Sequence, residues 1–308
     1  MWCFLNAVVT EWSMAESPII FDRKLLRARR RRAERLGASD FLIERVAADI
    51  AERLAVVLRQ FDLAVDLCTP GDAVRRALAE SGKVGTVIAA SSFARGPLAV
   101  VTDEEALPFR DGAIDLVVSA LSLHFANDLP GVLLQIRRAL RPDGLFLAAL
   151  AGGDTLTELR QTFAQAEAEV EGGISPRVAP FADLRDLGAL LQRAGFALPV
   201  ADVDRVTVRY TSPLALMHDL RRMGATNVLA ERRRKPLRRA TLMRMIEVYG
   251  ERFADPDGRV RATFEIVWLS GWAPHESQQQ PLRPGSAQHR LADVLGTKEQ
   301  SAGEKAKR

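Results

Sequence analysis

Between Asp40 and Gln60 the apolar residues Phe41, Leu42, Val46, Ile50, Leu54 and Val57 or Leu58 recur at three- and four-residue steps, the spacing of one helix face. Past Gln60 that period breaks. Leu63 to Leu67, Val84 to Ala90, Ala113 to Leu121 and Gly144 to Leu150 are short apolar runs, each closed by turn or polar residues. They predict strands buried on both faces. Leu129 to Leu140 has helical spacing and leads to the turn Pro142-Asp143-Gly144. Strand alternating with helix predicts an α/β protein whose doubly wound, mostly parallel sheet occupies about residues 40–150.

Beyond Leu150 the rhythm changes. Helical spacing over 155–170 and 181–194 is followed by the strand-like VDRVTVRY at 203–210, and helical spacing over 213–223 and 238–253 by ATFEIVWL at 262–269. This predicts helical insertions at 154–194 and 213–253 that form a cap beside a pocket, and two antiparallel strands that close the sheet. One domain over 21–275 is expected, preceded by a disordered extension over 1–20 and followed by a polar, mobile tail over 276–308. The N-terminal apolar patch lacks preceding basic residues and a small-residue cleavage site, so no signal peptide is expected, and Met14 is a second candidate start.

At 308 residues the chain can bury a sizeable core, and no apolar run approaches the roughly 20 residues of a membrane span. A soluble protein is expected. Cys3 and Cys68 make no disulfide or metal pattern, which suits a reducing cytoplasm. Net charge is only +4, yet basic residues cluster in Lys24 to Arg35 and in Glu231 to Arg239. The plain reading is a solvated helix face; the functional one is contact with an acidic lipid surface or an acidic protein. No nucleic-acid partner is expected, because no aromatic residues interleave with the arginines.

Open parallel sheets bind ligands beyond the carboxyl ends of their strands. Four segments converge there. In Asp66-Leu-Cys-Thr-Pro-Gly-Asp72, Asp66 can accept from an amino group while the NH groups around Cys68 and Gly71 approach a ligand. Ala89-Ala90-Ser91-Ser92 carries no acid where a ribose would want one. Asp103 and Glu104 can receive an exocyclic amine, and Ser119 to His124 leaves the fourth predicted strand. A lone histidine beside apolar residues is more often packed than catalytic, and His124 is read with both meanings open. The four histidines are scattered, with no metal-ligand spacing and no hydrolase motif.

The segments Asp103-Glu-Glu-Ala-Leu-Pro-Phe109, Ile114-Asp-Leu-Val-Val-Ser119 and Leu121-Ser-Leu-His124 resemble the class I S-adenosylmethionine-dependent methyltransferases. Further segments resemble one branch of that superfamily: Phe21-Asp-Arg23, Asn127-Asp-Leu-Pro130, Arg141-Pro-Asp-Gly144, Gly153-Asp-Thr-Leu156, Arg193-Ala-Gly-Phe196 and His275-Glu-Ser-Gln278. That branch contains the mitochondrial complex I assembly factor with a methyltransferase fold and its alphaproteobacterial relatives; the biotin-pathway carboxyl methyltransferases are close cousins.

The resemblance implies a Rossmann-like sheet that binds S-adenosylmethionine, with Asp66, Cys68, Gly71, Asp103, Glu104, Ser119 and His124 on the cofactor. Cys68, Pro70 and Asp72 replace the glycines of the first motif, which predicts a weakened grip. It also implies an arginine-bearing protein substrate, a subunit of respiratory complex I, modified by methylation or hydroxylation. A noncatalytic assembly protein and a carboxyl methyltransferase are the alternatives. A cytoplasmic protein is implied, peripheral to the inner membrane if the basic run engages it. No catalytic residue is assigned; the candidates are His124 and Asp154, and Asp154, Glu158 and His275-Glu276 are positions that could face a guanidinium with their carboxylates.

Overall fold

The computed structural model describes residues 19–93, 96–279, 292–293 and 296–298. The chain divides into a unit over Met1–Pro274 and a second over His275–Arg308. The expected extension, apart from residues 19–20, and most of the expected tail lie outside the described residues. In the second unit His275 and Ser277 close a small turn, with Ser277 Oγ 2.7 Å from His275 Nδ1.

Among the described residues the first helix is α1 (Arg23–Arg35), capped by the Asp22 carboxylate, which accepts from the Leu25 amide at 3.0 Å. Next come α2 (Phe41–Ala55), β1 (Phe61–Leu67), α3 (Ala73–Glu80), β2 (Val84–Ser91), β3 (Ala99–Val101) and β4 (Ile114–Ala120). These lead into α4 (Leu129–Ala139), β5 (Leu140–Ala151), α5 (Thr157–Glu171), α6 (Leu184–Arg193) and β6 (Ala197–Tyr210). Helices α7 (Pro213–Arg222) and α8 (Arg239–Phe253) precede β7 (Val260–Trp272).

The strands form one seven-stranded sheet in the order β3-β2-β1-β4-β5-β7-β6. Strands β1 to β5 run parallel, whereas β7 is antiparallel to both β5 and β6. The mostly parallel, doubly wound sheet that the alternating runs predict is what the chain forms. Strand order reverses between β1 and β4, where Asp66 is in register with Val118. A ligand crevice belongs at that point.

The period of two along the strands builds the two cores. Leu145, Leu147 and Ala149 of β5 join one cluster with α2, α3, α5 and α8, while Phe146, Ala148 and Leu150 join another with α4 and α6. Both faces are covered, which is why these runs are apolar throughout. Strand β3 escapes the sequence reading because three residues carry no period. Helix α1 reads in sequence as a solvated basic run, yet it buries Leu26 and Ala33, and Leu26 packs in a third cluster with Phe21, Phe125 and Val228.

Candidate functional site

A cavity of about 570 Å³ opens beyond the carboxyl ends of β1, β2 and β5. Its volume suits a ligand of cofactor size. The loop after β1 supplies one wall. Asp66 lies 5% exposed at the end of β1, and its Oδ1 has no hydrogen-bond partner among the described residues. Burial pushes its carboxyl up to about 7, against a hydrogen bond from Thr69 and the charge of Arg75. A cation arriving at that oxygen would gain a charge-assisted bond and restore the ionised form.

Cys68 holds the turn with φ +57°, in the left-handed region that a side chain tolerates poorly. Its amide donates to the Ala90 carbonyl at 2.7 Å, tying the turn to β2. Burial pushes the thiol up, so it is a packed side chain and not a nucleophile. Gly71, at φ +76°, has open space where a side chain would stand. Asp72, at the cavity rim, pairs with Arg75 and Arg76 of its own helix.

His124 sits in the 3-10 turn Leu123–Phe125 after β4 and lines the cavity between Phe125 and Phe181, at ring distances of 4.3 and 5.2 Å. Its Nδ1 accepts from the Ala151 amide at 3.2 Å, which puts the proton on Nε2. Burial, reinforced by Arg30, pushes the imidazole down to about 3. A ring so hard to protonate is a poor general base; it is a neutral donor and part of an aromatic wall.

Several residues that sequence reasoning places at the site do not line this cavity. Ser119 is buried and donates to the Leu67 carbonyl at 2.8 Å, holding β4 to β1. Asp103 and Glu104 follow β3 and are engaged by α1. Arg23 and Arg27 reach Asp103 at 2.8 and 2.9 Å; Glu104 pairs with Arg23 and, at 2.9 Å, with Arg30. Burial opposes the charge on Glu104, and Arg30 and Arg23 outweigh it, holding the carboxyl below its ordinary range. Asp154 is exposed and pairs with Arg205. Glu158 is buried against β7, accepting from the Thr263 amide at 3.1 Å and from its hydroxyl at 2.6 Å. Neither carboxylate is free for an incoming guanidinium.

What sequence reasoning misses is the wall made by α1. Arg29 and Arg30 line the cavity, and Asp40 and Glu34, exposed and without an ion pair among the described residues, line it too. A signal was available: Arg23, Arg27 and Arg30 stand at i, i+4 and i+7, facing the three consecutive acids Asp103, Glu104 and Glu105.

A methyltransferase-domain model matches residues 63–148, which hold the loop after β1 and the strands around it. The chain is 39% identical over 305 residues to the mitochondrial arginine-hydroxylase NDUFAF5 of Danio rerio, covering 94% of this chain and 95% of that protein. The chain belongs to the NDUFAF5 branch of the class I methyltransferase superfamily. Identity to the human arginine-hydroxylase NDUFAF5 is 43% over 280 residues, covering 87% of this chain and 81% of that protein. A malonyl-acyl-carrier protein O-methyltransferase of Laribacter hongkongensis is 40% identical over 193 residues, covering 63% of this chain and 62% of that protein.

Proposed function

We propose that this chain binds S-adenosylmethionine in the cavity at the β1–β4 crossover and modifies an arginine of a protein substrate during assembly of respiratory complex I. The observation that carries this reading is Asp66 on the cavity wall, with a buried carboxylate oxygen that has no partner among the described residues, in a chain matched over nearly its whole length by proteins named arginine-hydroxylase.

The residues fit the cofactor on one side. Asp66 Oδ1 receives its ammonium group, and the turn at Cys68 to Gly71 lies against it. Ala90 leaves room for a ribose without binding it, and Asp103 and Glu104 hold α1 in place while contributing no free acceptor. When bound, S-adenosylmethionine brings a methyl group on a positively charged sulfur. Phe125 and Phe181 exclude water from that region, and His124 offers Nε2–H as a neutral donor. Asp40 and Glu34, exposed acids of the cavity without an ion pair among the described residues, receive the guanidinium of the substrate.

On α1 the exposed Lys24, Arg31 and Arg35 recur at i, i+7 and i+11, a basic stripe suited to an acidic membrane or protein surface. Among the described residues no helix is long and apolar enough to cross a membrane, and the contact read here is peripheral.

The test is deletion of the gene in its host, followed by mass spectrometry of the complex I subunits. The expected result is lowered complex I activity and loss of a modification on one arginine; the added mass, one oxygen or one methylene, distinguishes hydroxylation from methylation. Normal complex I together with a new requirement for biotin would overturn the reading in favour of carboxyl methylation.

A further inference from the structure

Most arginines among the described residues are matched by acids, but Arg29, at one corner of the cavity, is not. Arg30 is neutralised by Glu104 and also donates to the Ser122 hydroxyl at 3.0 Å. Arg29, its neighbour on α1, lines the same cavity and has no carboxylate within ion-pair distance among the described residues, nor do Arg32 and Arg221. Arg29 and Arg32 instead converge on one hydroxyl, Thr226 Oγ1, Arg32 Nη2 reaching it at 3.4 Å. Their Nε atoms are both buried without a partner among the described residues.

The backbone brings these groups together. Gly224 has φ +72°, and a Cβ there would come within 3.2 Å of Arg30 Cα, so glycine lets the segment after α7 lie against α1. Thr226 follows on that segment. The acid that acts on Arg29 is Asp22, which is already paired with Arg232 at 3.1 Å. Burial and the charges of Arg32, Arg232 and Arg221 push the Arg29 guanidinium down from its ordinary value. Cations taken partly out of water are normally paired, and the half-buried Arg29 and Arg32 are not; Arg221 is exposed.

We propose that Arg29 and the Thr226 hydroxyl, which both line the cavity, form an anion-binding subsite on its cap side, with Arg32 adding charge from behind the same hydroxyl. It takes the carboxylate or phosphate group of a ligand that the cavity admits. A planar guanidinium presents paired N–H donors that suit either anion. The subsite stands whether or not the reaction is arginine modification, because it concerns only which charge the corner accepts.

Calorimetric titration of the full chain at low ionic strength, with inorganic phosphate and with succinate, tests this. One saturable site is expected for at least one anion, weakened about tenfold or more by Arg29→Gln and by Arg32→Gln. Tighter phosphate binding assigns a phosphate-bearing ligand, and tighter succinate binding a carboxylate. Arg185→Gln, an exposed arginine remote in sequence from these segments, is expected to leave binding unchanged. Without anion, Arg29→Gln is expected to melt no lower than the parent, since it removes a repelled charge. Absence of saturable binding for both anions would overturn the proposal. So would equal weakening by Arg29→Gln and Arg185→Gln, which would make the attraction one of overall charge.

Discussion

Asp66 and His124 give the cavity opposed responses to pH, because burial raises the acid and lowers the imidazole. An acid whose folded value rises to about 7 from 3.8 keeps its proton in the folded state after the unfolded chain has lost it, so its contribution to stability falls as pH climbs through that window. The span corresponds to about 4 kcal/mol. His124, moved down from 6.5 to about 3, works the other way: its contribution is lost as pH falls below 6.5. The two nearly cancel in the parent between 3.8 and 6.5. Asp66→Asn should expose the histidine limb, so that urea unfolding of this variant gains stability relative to the parent as pH rises from about 4 to about 7. A constant difference across that range would mean that Asp66 ionises freely. None of this is legible in the sequence. It places Asp66 at the end of a strand and His124 after another, but only packing decides that one loses its charge and the other never gains it.

At the scale of the element, α1 is where sequence and structure part most. Read alone, its arginines are a basic run with room for water around them. In the fold one stripe turns inward to Asp103, Glu104 and Glu105, while Lys24, Arg31 and Arg35 remain outside. Helical spacing identifies the helix face but not the loop that meets it, since that loop stands 80 residues further along, counted from Arg23 to Asp103, and follows a strand too short to carry a pattern. Asp103 and Glu104, which the resemblance puts on the cofactor, are here ion-paired to the helix and anchor it. Glu104→Ala should destabilise the protein by about 3 kcal/mol, because it leaves Arg30 partly buried without its counter-charge, while Arg23 keeps Asp103 and Glu105. The shift in urea midpoint at unchanged slope measures it. Glu104 also contributes stability above the unfolded value of 4.5 that is lost as pH falls through its lower folded value. A midpoint equal to that of the parent would show α1 to be held by Leu26 and its apolar neighbours alone.

For the whole molecule the sheet is legible because continuous apolar runs leave few alternatives to strands covered on both faces, and the closing strands because β-branched residues recur in VDRVTVRY and ATFEIVWL. The crevice at the β1–β4 crossover follows from the topology. The cap's contribution does not, for the residues of 213–253 that reach the cavity, such as Met217, Leu220 and Leu237, are also what any packed helix pair would show. The central claim is that this crevice still holds S-adenosylmethionine although Cys68, Pro70 and Asp72 stand in the turn. Titrating the parent, Asp66→Asn and the triple variant Cys68→Gly, Pro70→Gly, Asp72→Gly with S-adenosylmethionine by calorimetry tests it most directly. The expected result is one saturable site in the parent, about tenfold weaker when the Asp66 charge is removed, and tighter in the triple variant, whose turn no longer holds a side chain at φ +57°. No saturable heat in either the parent or the triple variant would contradict the account.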